Sequence, residues 1–238
     1  MAAPSTSTTT LAIKALSITI SLVASGGIAS PTLFDIPELQ SQPASRSLPQ
    51  LRWLFSRGSH IFPTACLLSS AGFVYTAFQS LPLARRYVAQ LLLHAASNTT
   101  GTNGFLLAAA LSFTIAPFTR FVMLPTNFEI IRFNAEEGGV RSARAAAEQQ
   151  QSNSDAAAAT GAKGCGERPI DDLLSESHST ANQITDLSGP QSKTRDDSTA
   201  REDERARELL GKFGRMNMGR AVLIGAGGVV GLCTALMP

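Results

Sequence analysis

Residues 116–127, Ala-Pro-Phe-Thr-Arg-Phe-Val-Met-Leu-Pro-Thr-Asn, close an apolar run that begins near Gly104 and crowd two prolines, two threonines, an arginine and an asparagine into one segment. A proline inside a helix removes a backbone donor and frees a carbonyl one turn back. At membrane depth such groups persist only where neighbours or a cavity satisfy them. Residues 117–127, with Pro117, Thr119, Met123 and Asn127, therefore read as one wall of a polar pocket. The plainer alternative is a kinked helix end whose Arg120 and Arg132 reach back to water. His60 stands where a second apolar run begins, and an imidazole there is either a satisfied structural group or a proton acceptor, since imidazoles titrate near neutrality and burial tunes them. Asn217 and Arg220 stand at the start of another apolar run.

Apolar residues are clumped rather than spread through the 238-residue chain. Four windows, 11–34, 61–83, 104–124 and 221–237, are each near the ~20 residues a helix needs to cross a bilayer core. The first window competes with a secretory signal peptide, which would start basic and end at a small-residue cleavage site. Lys14 is its only basic residue and no further charge appears before Asp35, so an uncleaved span is expected. The expected fold is all-α: an integral membrane four-helix bundle with a short interfacial helix and a long disordered loop between helices three and four. The net charge of +2 says little about partners because the charges are segregated. Nothing in the chain points to nucleic acid.

Taken in order, residues 1–10 are small and hydroxyl-rich and expected to be disordered, and 11–134 hold three membrane helices with an interfacial segment at 43–60. In the first window, Ser25-Gly-Gly-Ile-Ala-Ser30 suits close helix approach, and Pro31 and Pro37 mark its end. Leu51, Leu54 and Phe55 recur at helical spacing with Arg46, Arg52 and Arg57 on other faces, as in a helix lying at an interface. Trp53, the only tryptophan, suits either an aromatic belt or the wall of a slot for a flat aromatic ligand. Residues 135–204 are rich in Ser, Ala, Gln, Gly, Asp and Glu, too polar to offset chain entropy by burial. They read as a disordered insert with helical character around 140–151. Residues 205–238 form an amphipathic lead-in and the fourth span. Cys66, Cys165 and Cys233 make neither a metal spacing nor a disulfide framework.

Basic residues of short loops tend to remain cytoplasmic. Four spans place Arg46, Arg52, Arg57, Arg120, Arg132, Arg215 and Arg220 on one side, and the termini with Arg85 and Arg86 on the other. The first side is richer and is assigned to the cytosol, with both termini lumenal. Asn98-Thr-Thr is an N-glycosylation acceptor, and the same topology puts it in the lumen. His60, Thr119 to Asn127, and Asn217 with Arg220 then converge at the cytosolic ends of three helices, a functional-site hypothesis by default.

Ile36-Pro, Leu51-Arg-Trp, Gly58-Ser-His with Pro63, Ala116-Pro-Phe-Thr, Met123-Leu-Pro-Thr-Asn and Asn217-Met-Gly-Arg, in that order against four spans, resemble the small four-span membrane family that includes fungal anthrone oxygenases. The resemblance excludes the first ten residues and the 135–204 insert. It implies an endomembrane protein of aromatic polyketide biosynthesis, such as one of the endoplasmic reticulum, that oxidises an anthrone to an anthraquinone with O2 and needs no metal or flavin. Its partners would be a small aromatic polyketide, the lipid bilayer and, by association, polyketide synthase pathway enzymes. Such chemistry asks for a base, donors to a developing oxyanion and a dry aromatic slot. The resemblance then assigns His60 as base, Asn127 and Asn217 as donors to substrate oxygens, and Arg220 as electrostatic stabiliser. Trp53, Thr119, Pro117 and Met123 would line the slot. A non-catalytic four-span scaffold or a transport component is the competing function.

Overall fold

The computed structural model describes residues 7–81, 100–160 and 186–237, and among them all regular structure is helical. The helices are α1 (Thr8–Ser30), α2 (Ile36–Gln40), α3 (Ala44–Gln79), α4 (Thr100–Phe113), α5 (Ile115–Phe118), α6 (Leu124–Glu136), α7 (Ala143–Thr160) and α8 (Ala200–Leu236). Four continuous stretches, Thr8–Gln40, Ala44–Gln79, Gly101–Glu136 and Ala200–Leu236, are long and apolar enough to cross a membrane. Only 28% to 33% of each apolar window is buried inside the protein. Leu11, Val23, Leu68, Phe121 and Val222 are among the large side chains left exposed. Exposed apolar surface on that scale marks an interaction surface rather than a water-facing one, and the four helices fit a multi-pass membrane protein.

Two of these stretches pass through prolines by the same device. Pro31–Asp35 and Thr119–Met123 are single π turns, and each is followed by one aliphatic residue and a proline, Ile36-Pro37 and Leu124-Pro125. A proline ring collides with the carbonyl four residues back, here Leu33 and Phe121, and a π turn opens the backbone at that carbonyl. Pro37 and Pro125 then sit in the first turn of the next helix, where their missing N–H costs nothing. The end of the first span expected at Pro31 and Pro37 is therefore overrun. The segment 43–60, expected as a separate interfacial helix, instead forms the opening turns of α3 without a break.

The chain divides into two compact units. The first comprises Met1–Thr32, Ile61–Val122 and Met216–Pro238. It has two apolar layers: Ile18, Phe73, Ala77, Leu81, Phe105, Ala108 and Ala109 in one, and Ala24, Ile28, Cys66, Ile115, Ala221 and Ile224 in the other. Hydroxyls accompany these layers. Ser21 and Ser112 are buried with their oxygens 3.5 Å apart, and Ser25 donates to the Ala221 carbonyl at 2.8 Å. Close approach is carried by the glycines of α8 more than by those of α1. A side chain at Gly227 would sit 2.9 Å from the Ala108 carbonyl oxygen, whereas one at Gly26 would meet nothing.

The second unit comprises Leu33–His60 and Met123–Arg215. Its buried apolar positions fall at helical spacing, with Leu48 and Leu51 on α3, Ile130, Ile131 and Phe133 on α6, and Ala206, Leu209, Leu210 and Phe213 on α8. The Phe55 and Phe213 rings meet at 5.0 Å. Part of the 135–204 stretch is ordered: α7 lies within it, and residues 186–199 carry the buried Asp186 and Thr194. The first N–H groups of a helix have no partner within it. In α3 the Ala44 N–H donates to Asp203 Oδ1 at 2.7 Å and the Ser45 N–H to Ser198 Oγ at 3.2 Å. The Ser198 hydroxyl also donates to Asp203 Oδ1 at 2.7 Å. Asp203→Ala removes this cap, and losing a capping oxygen costs ~1 kcal/mol. The expected result is a lowered thermal midpoint in detergent, with Asp203→Asn nearer the parent; an unchanged midpoint would show that water replaces the carboxylate without cost.

Candidate functional site

In the first unit, the polar group nearest to a built site is Asn217 with Arg220. They lie one helical turn apart on α8, so their side chains share a face. Asn217 is 4% and Arg220 8% exposed. Arg220 Nη1 donates to Asn217 Oδ1 at 3.4 Å, while Asn217 Nδ2 donates to the Ile28 carbonyl at 2.6 Å and to Thr32 Oγ1 at 3.3 Å. Pro31 and its π turn weaken the hydrogen bonding of α1 there, and Asn217 supplies a donor from α8. Both amide hydrogens are thus engaged, so Asn217, expected to donate to substrate, instead fixes Arg220 to the end of α1. Cys66, expected as core packing, is 1% exposed and its thiol donates to the Ser112 carbonyl at 2.8 Å.

Thr119 belongs to the same unit and opens the second π turn, and its Oγ1 is buried without a hydrogen-bond partner among the described residues. Pro117 is exposed on its helix.

The remaining expected residues belong to the second unit. Asn127 Oδ1 is buried without a hydrogen-bond partner among the described residues, and Met123 is fully buried. The Trp53 indole N–H donates to the Ser188 carbonyl at 2.9 Å, and the Arg57 guanidinium lies over its ring at 5.3 Å. Arg57 also donates to the Asp186 and Ser188 carbonyls. Trp53 thereby anchors the far end of the polar insert. Burial raises the Asp186 carboxyl's pKa, but hydrogen bonds from Ser142 and Ser188 and the charge of Arg141 outweigh it and hold the group below the usual carboxylate range. His60 lies on α3, but its side chain is outside the described residues, as are Asn98, His94, Cys165 and His178 entirely.

Sequence reading missed a second polar group in this unit, formed by Arg52, Asn134 and Arg141 around a small cavity. The available signal was the pairing of Asn134 with the glycines that follow it. Gly138 adopts φ 72°, the left-handed conformation that ends a helix, and the Gly139 N–H returns to the Asn134 carbonyl at 2.7 Å. A side chain at Gly139 would sit 2.2 Å from Asn134 Oδ1.

Comparison with known proteins adds a family. Residues 52–160 match the family model described as Anthrone oxygenase. The matched stretch contains Trp53, His60, Pro117, Thr119, Met123 and Asn127, and leaves Asn217 and Arg220 beyond it. No curated protein and no solved structure matches the chain. At family level the match supports a role in polyketide-related oxygenation. Together with the four apolar helices and the motif order, this match, over a little under half of the chain, makes the chain similar to the anthrone oxygenase family.

Proposed function

We propose that the protein oxidises a polyketide anthrone to the anthraquinone with O2, using no resident metal or flavin. The observation that carries this reading is a buried guanidinium held by a carboxamide, Arg220 with Asn217, within an apolar bundle of a chain similar to this family. Anthrone chemistry asks little of the protein beyond a base and a stabilised anion. The methylene opposite the ring carbonyl loses a proton to His60, and its electron pair spreads onto the phenolate-type oxygen. One electron passes to O2, and the resulting radical and superoxide join in a new C–O bond. Protonation gives the hydroperoxide. Loss of the second methylene proton breaks the O–O bond and expels water, leaving one oxygen atom in the quinone and one in water.

In this reading Arg220 stabilises the developing oxyanion, where preorganised donors count most. Asn217 positions Arg220, and Thr119 offers a polar contact to substrate. The protein acts in an endomembrane with both termini lumenal, beside enzymes of a polyketide pathway.

The test uses membranes containing the full chain, supplied with an anthrone and O2, following quinone absorbance against the spontaneous rate. His60→Ala should abolish the protein-dependent part at unchanged protein level. Retained activity would remove His60 from the mechanism, and parent membranes no faster than empty ones would favour a non-catalytic scaffold.

A further inference from the structure

The cavity of the second unit, about 30 Å3, is lined by Arg52, Asn134 and Arg141 together with Ile131, Ala135, Gly139, Val140 and Ala145. A single water needs ~10–15 Å3, so the space exceeds one water. Its lining contains two guanidinium groups and no carboxylate. Arg52 is 5% and Asn134 1% exposed. Arg141 Nε and Nη1 are buried donors and Asn134 Oδ1 a buried acceptor, each without a hydrogen-bond partner among the described residues.

Leaving such groups unsatisfied is costly, above all beside a buried charge. The nearby carboxylate, Asp186, feels the charge of Arg141, but its own hydrogen bonds come from Ser142 and Ser188. Neighbouring backbone donors are also committed. Gly139 N–H bonds the Asn134 carbonyl, Val140 N–H bonds Gln191, and Arg144 and Ala145 N–H bond serine hydroxyls. What the cavity lacks is therefore an occupant with negative oxygen atoms for the guanidinium and one O–H donor for Asn134 Oδ1.

We propose that this cavity binds a small oxyanion carrying a hydroxyl, namely hydrogen phosphate or the phosphomonoester end of a lipid. Its charged oxygens accept from Arg141 and face Arg52, while its P–OH donates to Asn134 Oδ1. Sulfate at neutral pH and phosphodiester headgroups have no such donor. This site is independent of the oxygenase reading, and its test needs no substrate.

The full chain in detergent is dialysed against radiolabelled inorganic phosphate at constant ionic strength. Saturable binding is expected, with sulfate competing about tenfold or more weakly, as the loss of one charge-assisted hydrogen bond implies. Arg141→Gln should weaken phosphate binding by a similar factor, whereas Arg144→Gln, an exposed partner of Glu148, should not. Because Arg141→Gln can fail to fold, the sulfate comparison on the parent chain stands as an independent readout. Absence of saturable binding, or equal competition by sulfate, overturns the assignment and leaves the cavity to water. In nanodiscs, displacement of phosphate by phosphatidic acid but not by phosphatidylcholine identifies a lipid as the source, and no displacement identifies the free anion.

Discussion

Arg220→Met is expected to slow protein-dependent anthraquinone formation by ~10²–10³-fold, the usual cost of deleting one preorganised donor to a developing oxyanion. Stability should move differently. Replacing a buried charge by an apolar group of similar volume is often neutral or stabilising, and methionine fills irregular space well. Arg220 is 8% exposed, and Asn217, which loses one partner, keeps its bonds to Ile28 and Thr32. The variant should thus show an unchanged or raised thermal midpoint together with a nearly lost rate. Arg220→Lys keeps the charge but not the planar fork, and should fall between. Initial quinone rates per amount of protein, set beside melting curves in detergent, decide the matter. A variant that loses rate and midpoint together would make Arg220 structural, and an undiminished rate would take it out of the chemistry.

Gly227→Leu is expected to lose folded protein rather than activity alone. The added Cβ would fall 2.9 Å from the Ala108 carbonyl oxygen and 2.5 Å from Ser112 Oγ, and the rest of the side chain would enter the same gap. The Ala108 carbonyl belongs to the backbone of α4 and cannot rotate away, so two spans must part. Overpacking a well-filled core typically costs 1–3 kcal/mol, and a backbone collision should put this variant at or above the upper end. Gly26→Ala, in open space on α1, is the control and should leave the protein unaffected. Size-exclusion profiles of the two variants from equal membrane amounts make the comparison. An unchanged elution profile for Gly227→Leu would mean that α8 does not lie against α4 as described.

The four spans were legible because each is an apolar window of membrane length, a property carried by the residues themselves. Their ends were not. Pro31 and Pro37 read as a stop, yet a π turn absorbs them, and whether a helix widens or breaks depends on the surroundings of the freed carbonyls. Residues 186–199 read as unstructured because they offer little to bury. They are held instead by side chains reaching main-chain oxygens, Trp53 to Ser188 and Arg57 to Asp186, and composition carries no trace of such bonds. In the candidate site, the pairing of Asn217 with Arg220 followed from their spacing, but the occupation of the Asn217 amide by Ile28 did not. Arg52 and Arg141 line one cavity only because the chain reverses at Gly138.

The cap on α3 bears on how the chain is made. Ala44 and its capping carboxylate Asp203 are separated by 159 positions. At ~5–20 residues per second the ribosome needs about 8–30 s to deliver the second after the first. During that interval the leading turn of α3 has to rely on water or on the insertion machinery for its amide partners. The second unit can close only after Asp203 has been made, so a stop codon in the polar insert would leave the first turn of α3 without its capping carboxylate.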